Sequence, residues 1–191
     1  MLKRAIKTYN NIVDELDHHH IPVTRSYRLN ERHYGGLTGL NKAETAKKHG
    51  EDKVLTWRRS FDIPPPELEF DDERHPRFEE KYKHLPIDVL PSTESLKITI
   101  DRVLPFWFDH ICPQIKDGKK VIVVAHGNSL RAIVKYLSKM GEDEIVKYNI
   151  PTGVPFVYEF DENLKPTDHY YLLDEAELKR RQEEVANQAK A

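Results

Sequence analysis

Net charge, cysteine and long apolar runs are all low or scarce in this chain of 191 residues. The single cysteine, Cys112, excludes an internal disulfide framework and is typical of a reducing compartment. No apolar run approaches the roughly 20 residues of a transmembrane helix, and no secretory signal opens the chain. The formal net charge of −2 gives no global nucleic-acid or membrane-surface signature. We therefore expect a soluble, cytoplasmic protein that binds neither nucleic acid nor membranes.

The first residues lack the usual signal for the start of a helix. Leu2, Ile6, Tyr9, Val13 and Leu16 recur at helical spacing, which predicts an amphipathic helix. No Ser, Thr, Asp or Asn precedes it, so the chain is expected to open inside an element. The histidines at positions 18–20 have no accompanying ligand set, and no metal site is predicted.

Residues 121–131 predict a strand, a tight turn and a helix. The run 121–125 is apolar and β-branched, which is typical of a parallel strand buried on both faces. It ends in His126-Gly127-Asn128-Ser129, after which apolar residues recur at helical spacing. Ligands bind at the carboxyl ends of strands in open α/β sheets, and the first N–H groups of a helix bind anions. His126 is thus a candidate functional residue, although a turn with a satisfied histidine is the alternative.

The remaining segments suggest loops around that centre. Residues 28–37 mix charged and aromatic side chains beside a glycine pair, without periodicity, and predict a loop that carries a site. Residues 62–91 are rich in proline and charge, which predicts an irregular excursion acting as a lid or an interface. Pro105 is expected to kink a long helix that starts near residue 93. Residues 154–160 and 169–173 predict a hairpin, and 174–191 a flexible tail that is helical at its start.

Basic side chains lie on these loops and helix ends: Arg4, Arg28, Arg32, Lys42, Arg58 and Arg59. Local clusters of cations in a nearly neutral chain favour a small anion over a polymer, and planar guanidinium groups match phosphate or carboxylate. Glu31, among these arginines, is either a salt-bridge partner or a general acid/base. His126 is placed to donate to a phosphoryl oxygen. The residues alone therefore predict a phosphate-handling α/β protein.

Several longer motifs carry a family resemblance, in segments 28–45, 57–59, 125–131, 149–155 and 185–188. Together they resemble the cofactor-dependent phosphoglycerate mutases of the histidine phosphatase superfamily, over essentially the whole chain. The resemblance implies one domain over 1–191, a three-layer α/β/α fold with a mostly parallel sheet. It also implies interconversion of 3- and 2-phosphoglycerate in glycolysis and gluconeogenesis, 2,3-bisphosphoglycerate as phosphoryl primer without a metal, and a homodimer or homotetramer.

The resemblance also implies roles for individual residues. Glu31 corresponds to the acid/base, His126 to the histidine that stabilises the phosphoryl group in flight, and Arg4 to a phosphate clamp. The remaining implied contacts to a small phosphorylated carboxylic acid are Arg32, His33, Tyr34, Lys42, Arg58, Arg59, Gly127 and Asn128.

One departure from the family pattern concerns the nucleophile. The family begins with a strand leading into Arg-His-Gly, whose histidine carries the phosphoryl group, followed by a helix; this chain starts at Met1-Leu2-Lys3-Arg4. Loss of a nucleophile costs on the order of 10⁶ in rate, whereas acid/base help contributes roughly 10²–10⁴. We therefore expect the chain, truncated relative to the family and lacking its first strand and helix, to be inactive alone and to form no phosphoenzyme. An exposed sheet edge and lower stability are expected too.

Two further functions fit the same residues. One is a bisphosphoglycerate phosphatase of the same superfamily, in which water would have to reach the phosphoenzyme. The other is a non-catalytic phosphoglycerate-binding or interaction protein that keeps the arginine pocket without the nucleophile.

Overall fold

The computed structural model describes residues 1–188, apart from the side chains of residues 42–44, 48, 187 and 188. The described chain has a mixed α/β fold, as predicted. Its helices are α1 (Lys3–Leu16), α2 (Lys42–His49), α3 (Glu51–Arg59), α4 (Leu96–Phe106), α5 (Cys112–Lys116), α6 (Gly127–Leu137), α7 (Glu142–Lys147) and α8 (Glu175–Gln188), and its strands are β1 (Phe156–Phe160) and β2 (Pro166–Tyr171). Helix α8 occupies most of the segment predicted as a tail. No helix within residues 1–188 has both the length and the apolar character that crossing a membrane requires.

The hydrophobic core lies between α4 and α6. Val103 and Phe106 of α4 pack against Ala132 and Ile133 of α6, because each helix places apolar residues three and four positions apart on one face. Pro105 lies within α4, which ends one residue later, and a π-helical turn at Trp107–Ile111 joins α4 to α5. The kink expected at Pro105 stays a prediction, while the long helix is divided into α4, the π-turn and α5.

The mostly parallel sheet is the part of the fold prediction that is wrong. The sheet found in residues 1–188 has two strands, β1 and β2, which pair antiparallel with Phe156 opposite Tyr171. Residues 119–126 lie outside this sheet and form neither helix nor strand, with Ile122 58% exposed. Val121 and Val123 still pack against the core, so the segment buries one face. A parallel strand needs a neighbouring strand to receive its backbone hydrogen bonds, as well as elements packed over both faces, and the described chain pairs no strand with this segment.

Residues 62–91 form an irregular cover over the loop at 28–37. Their regular structure is limited to 3₁₀ turns at Pro76–Phe78, Glu80–Tyr82 and Ile87–Val89. The cover is attached closely, because Gly36 N donates to Pro66 O at 2.7 Å. Gly35 has φ +55°, and a Cβ there would lie 2.2 Å from Pro66 O. Glycine is therefore required at this crossing, both for its backbone conformation and for the space.

Candidate active site

Glu31 lies directly against the N-terminus of α6. It sits between the 3₁₀ turns Tyr27–Leu29 and Gly35–Leu37. Its Oε1 accepts hydrogen bonds from Arg32 N at 2.8 Å, Asn128 N at 3.2 Å and Asn128 Nδ2 at 2.9 Å. A Cβ on Gly127 would lie 4.0 Å from Oε2, which is ordinary contact. Three N–H donors thus orient the Glu31 carboxylate beside the first turn of a helix, where anions are favoured.

His126 is the residue immediately before α6, and it is buried. Its backbone N donates to Ser129 Oγ, whose hydroxyl in turn donates to His126 O, both at 3.1 Å. Ser129 is completely buried, so these two hydrogen bonds fix the backbone at the turn from residues 121–125 into helix α6. The fixed backbone is what aims the imidazole at the site rather than at solvent.

The Arg4 contact determines which ring nitrogen of His126 carries the proton. Arg4 Nη2 donates to His126 Nδ1 at 3.1 Å. A guanidinium has no acceptor, so Nδ1 must be the unprotonated nitrogen and Nε2 bears the hydrogen. Burial lowers the pKa of His126 below its usual 6.5, with the Glu31 charge opposing and Arg4 reinforcing the shift. His126 is therefore a neutral imidazole at pH 7, with an Nε2–H available for donation.

Several buried donors at this site have no hydrogen-bond partner within the part of the chain that the structure describes. These atoms are Nε of Arg32, Nε of Arg58 and Nε2 of His126, together with the hydroxyl oxygen of Thr38. Arg32 itself is held by Trp57 O and Arg58 O, each 3.4 Å from its Nη2, and its guanidinium lies 4.6 Å from the centre of the Tyr34 ring. Unpartnered buried N–H groups are costly and suit the oxygens of an anion.

A buried ion pair holds the other side of the Glu31 loop. Glu94, directly before the α4 N-cap, accepts from His33 N at 2.8 Å through Oε2, and its two carboxylate oxygens pair with Arg102. Burial lowers the pKa of His33, whose Nδ1 accepts from Gly35 N. Sequence reasoning missed Glu94 and Arg102, because single charges on a predicted helix look like ordinary surface residues.

Arg131 is a third residue that sequence reasoning left without a role. Its Nη1 donates to Asn128 Oδ1 and its Nε to Ile145 O, both at 3.1 Å. The bond to Oδ1 forces the amide nitrogen of Asn128 toward Glu31 and the Tyr34 hydroxyl. Burial lowers the pKa of Arg131 to about 10. Its place in the motif 125–131 was a usable signal.

Not every predicted cation reaches this cluster. Arg28 Nη1 donates to Arg102 O at 3.2 Å, so it braces helix α4 instead. Arg59 Nη2 donates to Ala186 O of α8 at 3.4 Å. The side chain of Lys42 lies outside the described residues. The structure thus brings together Arg4, Glu31, Arg32, Tyr34, Arg58, His126 and Asn128.

A cavity of about 570 Å³ opens beside the Glu31 loop, within the size range of small-molecule sites. His126 and Asn128 lie outside its lining and adjoin it through Glu31. The lining combines predicted site residues with side chains of the 62–91 cover: Glu31, Arg32, His33, Tyr34, Arg58, Arg74, Pro76, Glu79, Tyr82, Leu90 and Pro91.

The family model described as histidine phosphatase superfamily (branch 1) matches residues 1–85 and 68–170. The chain belongs to this superfamily. Its fold is shared with mycobacterial glucosyl-3-phosphoglycerate phosphatase, at 17% identity over 91% of this chain and 72% of that chain, with TM-scores of 0.57 for the native form and 0.60 for the complex with VO₃. A structure titled mycobacterial hydrolase 1 is similar at the same identity and coverage, with a TM-score of 0.58. The superfamily fold thus accounts for the arrangement of helices around the candidate site.

Proposed function

We propose that this site serves phosphoryl transfer on phosphoglycerate, as in a phosphoglycerate mutase that interconverts the 3- and 2-phospho isomers. The observation that carries the proposal is the neutral His126, whose buried Nε2–H has no partner among the described residues and which adjoins the Glu31 carboxylate. A neutral N–H donor beside a carboxylate supplies two things that such a transfer needs. One is stabilisation of phosphoryl oxygens, and the other is movement of a proton on the substrate hydroxyl.

Each group has a distinct task in this proposal. Glu31 takes the proton from the hydroxyl that receives the phosphoryl group, and returns a proton to the leaving oxygen in the reverse direction. His126 Nε2–H donates to a phosphoryl oxygen in transit, where charge is spread over the equatorial oxygens. Arg32 and Arg58 hold the phosphate and carboxylate of the substrate through Nε atoms that have no other partner in the described chain.

The same donors fit 2,3-bisphosphoglycerate, which carries two phosphates and a carboxylate. When bound, it would supply a phosphoryl group for transfer to the histidine of an Arg-His-Gly segment, which these 191 residues do not contain. Arg4, Arg32 and Arg58 are the described cations that would hold it.

The phosphatase alternative is supported by the structural neighbours, which are named as a glucosyl-3-phosphoglycerate phosphatase. Water, rather than a substrate hydroxyl, would then give its proton to Glu31. A binding protein without catalysis remains the third candidate, because these 191 residues contain no Arg-His-Gly. The expected behaviour of this chain alone is therefore ligand binding without turnover. Assembly as a homodimer or homotetramer stays a prediction that sedimentation would measure.

Calorimetric titration of the chain with 3-phosphoglycerate tests the proposal, with glycerate and inorganic phosphate as matched ligands. We expect 3-phosphoglycerate to bind best, because both its phosphate and its carboxylate meet guanidinium groups. Arg32→Met should weaken binding at least tenfold, since a hydrogen bond to a charged group contributes about 1.5–3 kcal/mol. Equal affinity for glycerate would overturn the proposal. Tighter binding of glucosyl-3-phosphoglycerate would favour the phosphatase.

Phosphorus NMR of the chain with 3-phosphoglycerate and 2,3-bisphosphoglycerate completes the test. No 2-phosphoglycerate and no inorganic phosphate should form. Formation of either product would contradict the expected inactivity of these 191 residues, and the product formed would separate mutase from phosphatase.

A further inference from the structure

The pair formed by Glu94 and Arg102 is the most buried ion pair in the described chain. Their side chains are 1% and 9% exposed, and Arg102 Nε lies 2.5 Å from Glu94 Oε1. Glu94 precedes the first turn of α4, and Arg102 lies two turns further along the same helix. Helix α4 is itself fixed by the core through Val103 and Phe106. The pair therefore stands on one of the most firmly packed elements of the molecule.

All five N–H donors of Arg102 have acceptors, and three of those acceptors are backbone carbonyls of the Glu31 loop. Nη1 donates to Tyr27 O at 3.0 Å and to Arg28 O at 2.7 Å, and Nη2 donates to Asn30 O at 3.2 Å. The two remaining donors pair with Glu94. Only the planar fork of arginine supplies five donors in this arrangement, since lysine has three.

Glu94 holds the loop on the C-terminal side of Glu31, as Arg102 holds it on the N-terminal side. Its Oε2 accepts from His33 N and its backbone N donates to His33 O, both at 2.8 Å. The chain is thus fixed at residue 30, just before Glu31, and at residue 33, two positions after it. Between these anchors Glu31 and Arg32 have little backbone freedom, although the segment is neither helix nor strand.

We propose that Glu94 and Arg102 are positioning residues that set the place of the Glu31 carboxylate and of the Arg32 guanidinium. Burying an ion pair is a poor route to stability alone, because an apolar pair of similar volume is often as stable or more so. What an apolar pair cannot do is bind four backbone groups of the Glu31 loop. The functional half of this proposal rests on the proposed phosphoglycerate site, whereas the anchoring of the loop does not.

The double variant Glu94→Leu/Arg102→Met separates positioning from stability. We expect its thermal unfolding temperature to fall, because three loop carbonyls lose their donor, but by less than in Arg102→Met alone, which also leaves Glu94 charged and unpaired. At a temperature where the variant is folded, its affinity for 3-phosphoglycerate should fall at least tenfold, the loss expected when the Arg32 guanidinium no longer meets the ligand. In the ligand-free chain, the His33 amide hydrogen should exchange much faster. Glu177→Leu/Arg180→Met, the same change at an exposed pair on α8, is the control and should alter neither measurement.

The outcomes distinguish this proposal from the proposed function. A double variant with wild-type affinity and slow His33 exchange would overturn the positioning role. If the wild type itself fails to bind 3-phosphoglycerate, the proposed function fails. The hydrogen exchange of the His33 amide still tests whether Glu94 and Arg102 anchor the loop. If the double variant does not fold, Glu94→Gln decides. That variant keeps the shape of the side chain but removes its charge and replaces one accepting oxygen by an NH2 donor. Unchanged affinity together with unchanged exchange would contradict the proposal.

Discussion

The two segments that deliver Glu31 and His126 to the same site are held in opposite ways. The loop at 27–34 has no regular structure beyond one 3₁₀ turn, yet five of its backbone groups bind Glu94 or Arg102. Residues 121–125 are apolar, yet they have no strand partner within the described chain. The backbone of His126 is fixed from its other side, by Ser129 and helix α6, and its ring is held by Arg4.

The difference shows that regular secondary structure and rigidity have different sources. A buried guanidinium with five acceptors can order an irregular loop, because each carbonyl it binds loses freedom. An apolar β-branched run cannot form a strand without a neighbour to receive its N–H and C=O groups. The acid/base is therefore better fixed in this chain than the backbone that leads to the histidine.

Breaking the ion pair from one side should give the largest effect on stability. Arg102→Met leaves Glu94 as an unpaired charge at 1% exposure, so the free energy of unfolding should fall by about 3–5 kcal/mol. Urea denaturation measures it. Arg180→Met, at a 57% exposed arginine on α8, is the matched control and should cost less than about 1 kcal/mol. Equal losses in the two variants would show that the loop does not depend on Arg102.

The same substitution at a buried and at an exposed isoleucine tests whether the segment 121–125 is packed as a strand. Ile145→Ala removes a completely buried side chain and should cost about 2–5 kcal/mol. Ile122→Ala lies in the predicted strand but is 58% exposed, so its cost should stay below about 0.5 kcal/mol. The same urea experiment compares them. A large loss for Ile122→Ala would mean that this segment is packed as a buried strand after all.

How far the sequence predicted these features depends on whether the signal is local. Helices α1, α4 and α6 followed from apolar spacing along the sequence. Glu31, His126 and Asn128 were predicted as site residues because they occur in motifs, and the structure bonds Glu31 to Asn128 at the start of α6, which His126 directly precedes.

Features that depend on distant partners were not predictable in this way. The strand at 121–125 was predicted from its composition alone, but a strand also needs neighbours. Glu94 and Arg102 have no local pattern, since their importance comes from carbonyls more than 70 positions away in sequence from Arg102. Arg131 belongs to the motif at residues 125–131, yet that motif does not predict its contact with the carbonyl of Ile145.

Acid should weaken both halves of the site through the half-buried His33 and the buried His126, which gives the smallest of the three effects. Burial lowers the pKa of His33 in the loop and of His126 before α6, so each stays neutral in the folded chain at pH values where the unfolded chain is already protonated. The unfolded state then binds more protons, and stability is lost as the pH falls below about 6.5. The slope is at most about 1.4 kcal/mol per pH unit for each extra proton.

Urea denaturation at pH 7 and pH 5.5 should therefore show a smaller drop in the free energy of unfolding for His33→Gln and for His126→Gln than for the wild type. If only one variant reduces the drop, the pKa of the other histidine is not lowered by folding. That histidine would then be more exposed in solution than in the structure, and the two segments would differ in burial as well.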